Sequence, residues 1–293
     1  MSVQKIPNLW PGFGVLALCF CVLAACAPTE EINALKQRTL DNLVFVEGGT
    51  FMMGDVGYVD ENGQKQIFGP DADAFPVHQV TLSNYSILKY EATFAEYDLF
   101  AGVTGGEKPL EQFRSSVNKG PNYPVYGVTW HESRAYCQWL GEQIGYPMDL
   151  PTEAQWEYAA RSRGKAVAYA TDNGKFESGR NIRDAKKIWH EMPVGSWPPN
   201  PLGIHDMTGN VDEWTVDYWR AYRPGAVTDP RNDEYEKFKS DQKVTRGSGI
   251  IGGRGQITLY VRVVREPDNT GSGIGIRCVA NHPEPITTLR ETP

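Results

Sequence analysis

Apolar positions in this chain come in short runs, separated by polar stretches rich in glycine and proline. Phe13 to Ala25 is uncharged and apolar, follows Lys5, and is too short to span a bilayer. Val44-Phe45-Val46 and the run from Gly48 to Gly54 predict a strand, a turn and a second strand. Asp55 to Phe75 predicts loop, and Val77 to Leu88 a further strand region. Three short helices are announced by capping boxes: Thr93 with Glu96, Thr129 with Glu132, and Thr152 with Gln155. In each, the Thr hydroxyl can accept the backbone N–H three residues on, while the Glu or Gln reaches back. In the second helix Ala135, Tyr136, Trp139, Leu140 and Ile144 share a face, and Gly145 and Pro147 end it. Little regular pattern follows Arg163 until Val244-Thr245-Arg246, Ile257 to Val264 and Ile274 to Val279, which predict strands. Residues 283–293, with three prolines, predict a flexible tail. The sum is a single α+β domain over 43–282, with few helices and much loop.

Composition narrows the function. The chain has 293 residues, 40% hydrophobic and 22% charged, as globular domains do. Its net charge of −7 and its lack of a Lys/Arg cluster exclude a nucleic-acid binder. Residues 1–25 predict a signal peptide, and Leu23-Ala24-Ala25-Cys26 resembles the lipobox of bacterial lipoproteins. Cys26 is then the acylated first residue of the mature protein, and residues 26–42 a polar tether to the membrane. Ala27 is not Asp, so the expected address is the outer membrane, facing the periplasm. Cys19 and Cys21 leave with the signal, so Cys137 and Cys278 remain in an oxidising compartment. Two such thiols predict one disulfide; the alternative is two buried free thiols.

Tyr123-Pro124-Val125, Val128-Thr129-Trp130, Ala135 to Gly141 and Leu150 to Arg161 together resemble the formylglycine-generating enzyme family, also called the sulfatase-modifying factor family. Glu47 to Gly54, Tyr90 to Thr93, Pro193 to Asn200, Gly203 to Trp214, Val244 to Ser248 and Gly275 to Cys278 agree in order and spacing. The resemblance covers about 43–282. It implies a C-type-lectin-like, loop-rich fold and pairing of Cys137 with Cys278. Enzymes of this family oxidise a sulfatase cysteine to formylglycine with copper held by two thiolates. Those positions fall at Gly252 and Ile257, and no cysteine lies anywhere between 137 and 278. Soft Cu(I) needs thiolate ligands, so no copper and no oxidase activity are expected. The five histidines show no paired metal-ligand spacing, which speaks against the iron chemistry of related folds.

The resemblance also implies a structural calcium, held by the Asp206 and Glu213 side chains with the Gly209 and Val211 carbonyls. Two carboxylates and backbone oxygens suit that hard cation. A second family site would use Asn181 and the Ile182 carbonyl, but its Asp position is Lys186, so this site is expected to be lost. The groove matching the enzymes' substrate cleft supplies the expected partner-binding residues Trp219, Arg246, Gly252, Arg254 and Tyr260, since aromatics and Arg anchor interfaces. Against this, Trp214 in the same groove reads as core, and Arg246 can equally be a buried structural Arg. The expected function is a non-catalytic periplasmic binding or regulatory module with an envelope protein partner, such as the sensor domain of a kinase-linked secretion or signalling pathway. The alternatives are an oxidase that makes formylglycine on sulfatases, and a glycan-binding lipoprotein, the latter on fold analogy alone.

Overall fold

The computed structural model describes residues 16–69, 72–109, 120–184, 190–233, 241–247, 258–271 and 273–290. The chain runs through α1 (Leu16–Asn42), β1 (Leu43–Val46), β2 (Gly49–Met53), β3 (Tyr58–Val59), β4 (Lys65–Gln66), a 3-10 turn at Ala72–Ala74, β5 (His78–Leu82) and β6 (Tyr85–Leu88). It continues through α2 (Phe94–Thr104), α3 (Trp130–Ile144), β7 (Met148–Asp149), α4 (Glu153–Ala160), β8 (Asp212–Tyr218) and β9 (Val227–Thr228). The last strands are β10 (Lys243–Arg246), β11 (Val263–Arg265), β12 (Ile274–Gly275) and β13 (Val279–Ala280).

Helices α2, α3 and α4 start where their capping boxes place them. Thr93, Thr129 and Thr152 each accept from the backbone three residues on, and Glu96, Glu132 and Gln155 reach back to the cap. Helix α3 stops at Gly145, whose φ of 79° is left-handed; a Cβ there would meet the Arg290 carbonyl.

The strands form small sheets ordered β1-β6-β13-β7, β11-β10-β8-β12 and β2-β5-β9, with β3-β4 as a separate ribbon. Strand β6 joins the beginning of the domain to its end: Val44 faces Ile87, which faces Val279. One apolar cluster packs Tyr97, Phe100, Tyr136, Trp139, Leu140 and Trp214 around α2 and α3. A second packs Trp156 and Tyr158 of α4 against Phe51, Val80, Tyr85 and Met207. Cys137 on α3 is disulfide-bonded to Cys278, with Cα atoms 5.5 Å apart. The disulfide alternative is the one realised, and the two thiols are not free.

Several boundaries differ from expectation. The strand region 77–88 is two strands, broken at Ser83-Asn84, where Asp229 accepts from the Ser83 amide and hydroxyl. Leu259 and Tyr260 lie in a buried turn, so of the described part of the predicted strand 257–264 only Val263 and Val264 are in a strand, β11; Ile257 is outside the described residues. The stretch expected as a polar tether is helical up to Asn42, and its end packs on the domain. Leu35, Thr39 and Leu40 are buried, Arg38 pairs with Glu96 at 3.5 Å, and Lys89 N–H donates to Asn42 O. The tail also docks. Ile286 is buried, Arg290 N–H donates to Ile144 O, and the Arg290 guanidinium lies over Tyr146. Residues 291–293 are outside the described residues. Among the described residues no helix is long and apolar enough to cross a membrane.

Candidate functional site

The loop before β8 gathers the expected calcium residues. It turns through three left-handed positions, Asp206 (φ 64°), Gly209 (φ 114°) and Asn210 (φ 58°). Gly209 N–H donates to Gly247 O, and Asp206 Oδ2 accepts from Gly195 N–H at 2.6 Å. Asn210 Oδ1 accepts from Met192 N–H, and its Nδ2 donates to Glu91 Oε2 at 2.7 Å. Glu213 is fully buried, and both its oxygens are engaged. Arg277 donates to them from Nη2 at 2.7 Å and from Nε, and Trp156 Nε1 donates at 2.6 Å. Arg277 also donates to Leu88 O and His205 O, which anchors β6 and the loop to one guanidinium.

Three buried carboxyl groups, on Glu91, Asp206 and Glu213, thus surround one buried Arg277. Burial, then the Asp206 and Glu213 charges, push the Glu91 carboxyl well up, and burial lifts Asp206 to about 6. Asp206 Oδ1 is buried without a hydrogen-bond partner. Surplus negative charge and an unsatisfied carboxylate oxygen fit a hard cation, but the expected ligand set needs correction. Glu213 is held by Arg277 and Trp156, so Asp206 is the available carboxylate. Among the described residues no three His, Cys, Asp or Glu side chains are arranged to hold a metal, so carbonyls such as those of Gly209 and Val211 have to complete any shell. Glu91 was not foreseen from sequence; it lies 119 residues from the Asn210 that binds it.

At the second family site, Asn181 Nδ2 points at Asp172 Oδ1, Asn173 Oδ1 and Lys175 O. Arg180 pairs with both Asp172 and Glu177. The two oxygens expected to bind there are already engaged: Asn181 Oδ1 accepts from Glu177 N–H and Ile182 O from Gly179 N–H. Lys186 lies outside the described residues.

Two residues of the expected partner groove, Arg246 and Tyr260, are not on the surface. Arg246 is 0% exposed and donates to Glu153 Oε1 at 2.7 Å, Glu157 Oε2 at 2.9 Å and Leu259 O at 2.7 Å. Arg161 takes the other Glu157 oxygen, and Arg262 takes both oxygens of Glu153. Against the upward push of burial, Arg262 and Arg246 hold Glu153 down at about 2. Tyr260 is 1% exposed, and its hydroxyl donates to Val167 O. Arg246 and Tyr260 are therefore core residues, as is Trp214. Trp219 is half-buried; Gly252 and Arg254 lie outside the described residues.

A groove of about 610 Å³ runs over Ser83, Asn84, Gln155, Asp229 and His282. A second, of about 590 Å³, runs over Gln138, Glu142, Tyr146 and Met148. Arg231 and Asn281 line both.

The sulfatase-modifying factor enzyme 1-like domain description matches residues 28–282. The chain is 26% identical to the formylglycine-generating enzyme of Thermomonospora curvata, over 84% of this chain and 95% of that enzyme. It is 28% identical to the serine/threonine-protein kinase pkn1 of Chlamydia pneumoniae, over 89% of this chain but only 41% of the kinase. Among solved structures, PvdO of Pseudomonas aeruginosa matches with a TM-score of 0.64 and 26% identity, over 81% of this chain and 93% of PvdO. The α+β architecture, the ordered sequence blocks and these relatives agree, and the chain belongs to the sulfatase-modifying factor enzyme 1-like family.

Proposed function

We propose that this protein is a non-catalytic member of its family, lipid-anchored at Cys26 to the outer membrane, facing the periplasm, and working as a binding or regulatory module for an envelope protein. The observation that carries the reading is the cysteine inventory. No cysteine lies between 137 and 278, and those two are joined to each other. A copper oxidase of this family needs a thiolate pair, and Gly252 and Ile257 cannot supply one. The similarity of this chain to part of a protein kinase supports a regulatory role. The joined grooves over Arg231 and Asn281 are the proposed partner face, in place of Arg246 and Tyr260. A calcium ion on Asp206 and the Gly209 and Val211 carbonyls would supply the positive charge that the loop lacks.

Two measurements test this. The copper-loaded protein is incubated with a Cys-x-Pro-x-Arg peptide and the product is weighed by mass spectrometry. No conversion of thiol to aldehyde is expected; turnover would restore the oxidase reading. The anchored protein is also cross-linked in its native envelope, as wild type and as Arg231→Ala with Asn281→Ala. One dominant envelope protein, lost in the variant, is expected; capture of glycan fragments alone would sink the protein-partner reading.

A further inference from the structure

The residues that follow the acylated cysteine are not slack. Helix α1 is continuous over Leu16–Asn42, so Cys26, Ala27 and Pro28 lie on the same helix as the buried Leu35. Inside a helix Pro28 would break the hydrogen-bond ladder. Processing before Cys26 places it in the first turn, where its missing N–H has no partner to lose. Thr29, Glu30 and Glu31 are exposed, and the two acids complement the positive end of the shortened helix. Farther on, Leu35, Thr39 and Leu40 are buried, Arg38 pairs with Glu96 at the start of α2, and Asn42 O accepts from Lys89.

We infer that in the anchored protein α1 is a rigid stalk that holds the domain against the bilayer surface. The inference rests on the acylation of Cys26 proposed above. From Cys26 to Leu35, the first fully buried side chain among the described ones, is nine residues, or about 14 Å of helix. A flexible segment of residues 26–42 would wander over roughly 20–25 Å and could extend past ~50 Å. The stalk leaves no such freedom, so the surface that this domain meets first is the lipid headgroup layer. A partner must therefore be reachable close to the membrane.

The test uses the full-length protein in proteoliposomes of phosphatidylethanolamine and phosphatidylglycerol. With Cys26 acylated and Cys137 bonded to Cys278, Gln37→Cys offers one reactive thiol for a fluorescent donor, and the headgroups carry the acceptor. A ten-residue helix-forming Glu/Ala/Lys insert or a ten-residue Gly/Ser insert is placed after Pro28. The helical insert should lift the donor by about 15 Å and cut energy transfer about twofold. The Gly/Ser insert should broaden the distance distribution instead. Identical transfer for both inserts and the native spacing would overturn the stalk, as would hydrogen exchange across residues 30–40 at the rate of an unstructured peptide. Palmitate incorporation is followed in parallel. A chain that takes up none and stays in the supernatant overturns the acylation, and the stalk with it.

Discussion

Arg246 has no contact with solvent and lies between Glu153, Glu157 and the ring of Trp156. Removing its charge would leave those carboxylates under-compensated in the interior, which costs about 3–5 kcal/mol. Arg246→Met is therefore expected to lower the unfolding free energy in urea by about that amount. A change within ~0.5 kcal/mol, usual for surface positions, would return Arg246 to the surface role first expected of it. Asp206 makes a prediction of a different kind. Its folded pKa is about 6, above the ordinary 3.8, so between those values the folded chain binds more protons than the unfolded one. Stability then falls as pH rises through that window and levels off above it. Asp217, also lifted to about 6 by burial, and Glu91, pushed well up, add slopes of the same sign, so Asp206→Asn should remove only part of it. Calcium acts against the same penalty: at a hundredfold excess over Kd it would stabilise by about 2.7 kcal/mol. Thermal unfolding at pH 7 should show calcium raising Tm for the wild type and not for Asp206→Asn; no calcium effect on the wild type removes the cation from this loop. The Asp206–Glu213 loop was legible because its residues are neighbours in sequence. Arg277, 64 residues from the Glu213 it engages, and Glu91 were not, because only the fold brings them there.

At the scale of elements, what could be read was what is local. A capping box is written within four residues, and all three held. The segments read as a polar tether and a flexible tail, 26–42 and 283–293, pack on the domain over part of their length, and neither contact was legible, for a common reason. Over its described side chains helix α1 offers the core a narrow stripe, Ile32, Leu35, Thr39 and Leu40, among exposed Glu30, Glu31, Gln37 and Asp41, and that stripe is too sparse to announce a packed helix. Its partners on α2 and α3 lie more than fifty residues downstream. The tail likewise contributes a single buried apolar side chain, Ile286, and depends on Ile144 and Tyr146 for its contacts. If α1 is part of the domain's core, Leu35→Ala should cost about 2–5 kcal/mol in denaturant unfolding, as large-to-small changes at buried sites do. A loss below ~0.5 kcal/mol would mean that α1 leaves the domain without consequence.

For the whole molecule, the long loops are held, among the described residues, by many buried polar ties and one covalent tie, the disulfide. Cys137 and Cys278 are 141 residues apart, so their bond links α3 to the segment between β12 and β13 across almost the entire second half of the chain. In the chain-entropy account a loop of this length is worth about 4–5 kcal/mol, a large share of the roughly 5–15 kcal/mol by which an ordinary domain is stable. A thiol pair of that importance belongs in an oxidising compartment, since cytosolic reductants would keep it open. In the proposed reading, with the leader at residues 1–25 exporting the chain, the bond would tie the fold's stability to that export. Protein recovered from the envelope should unfold at a clearly lower denaturant concentration once reductant is present. A Cys137→Ala, Cys278→Ala double variant should match the reduced wild type and be indifferent to reductant. If instead thiol titration of the unfolded, unreduced protein counts both cysteines as free, the bond does not form where the protein resides. Stability and location would then have to be argued separately, with the two thiols as buried core residues no different in kind from their apolar neighbours Tyr136 and Leu140.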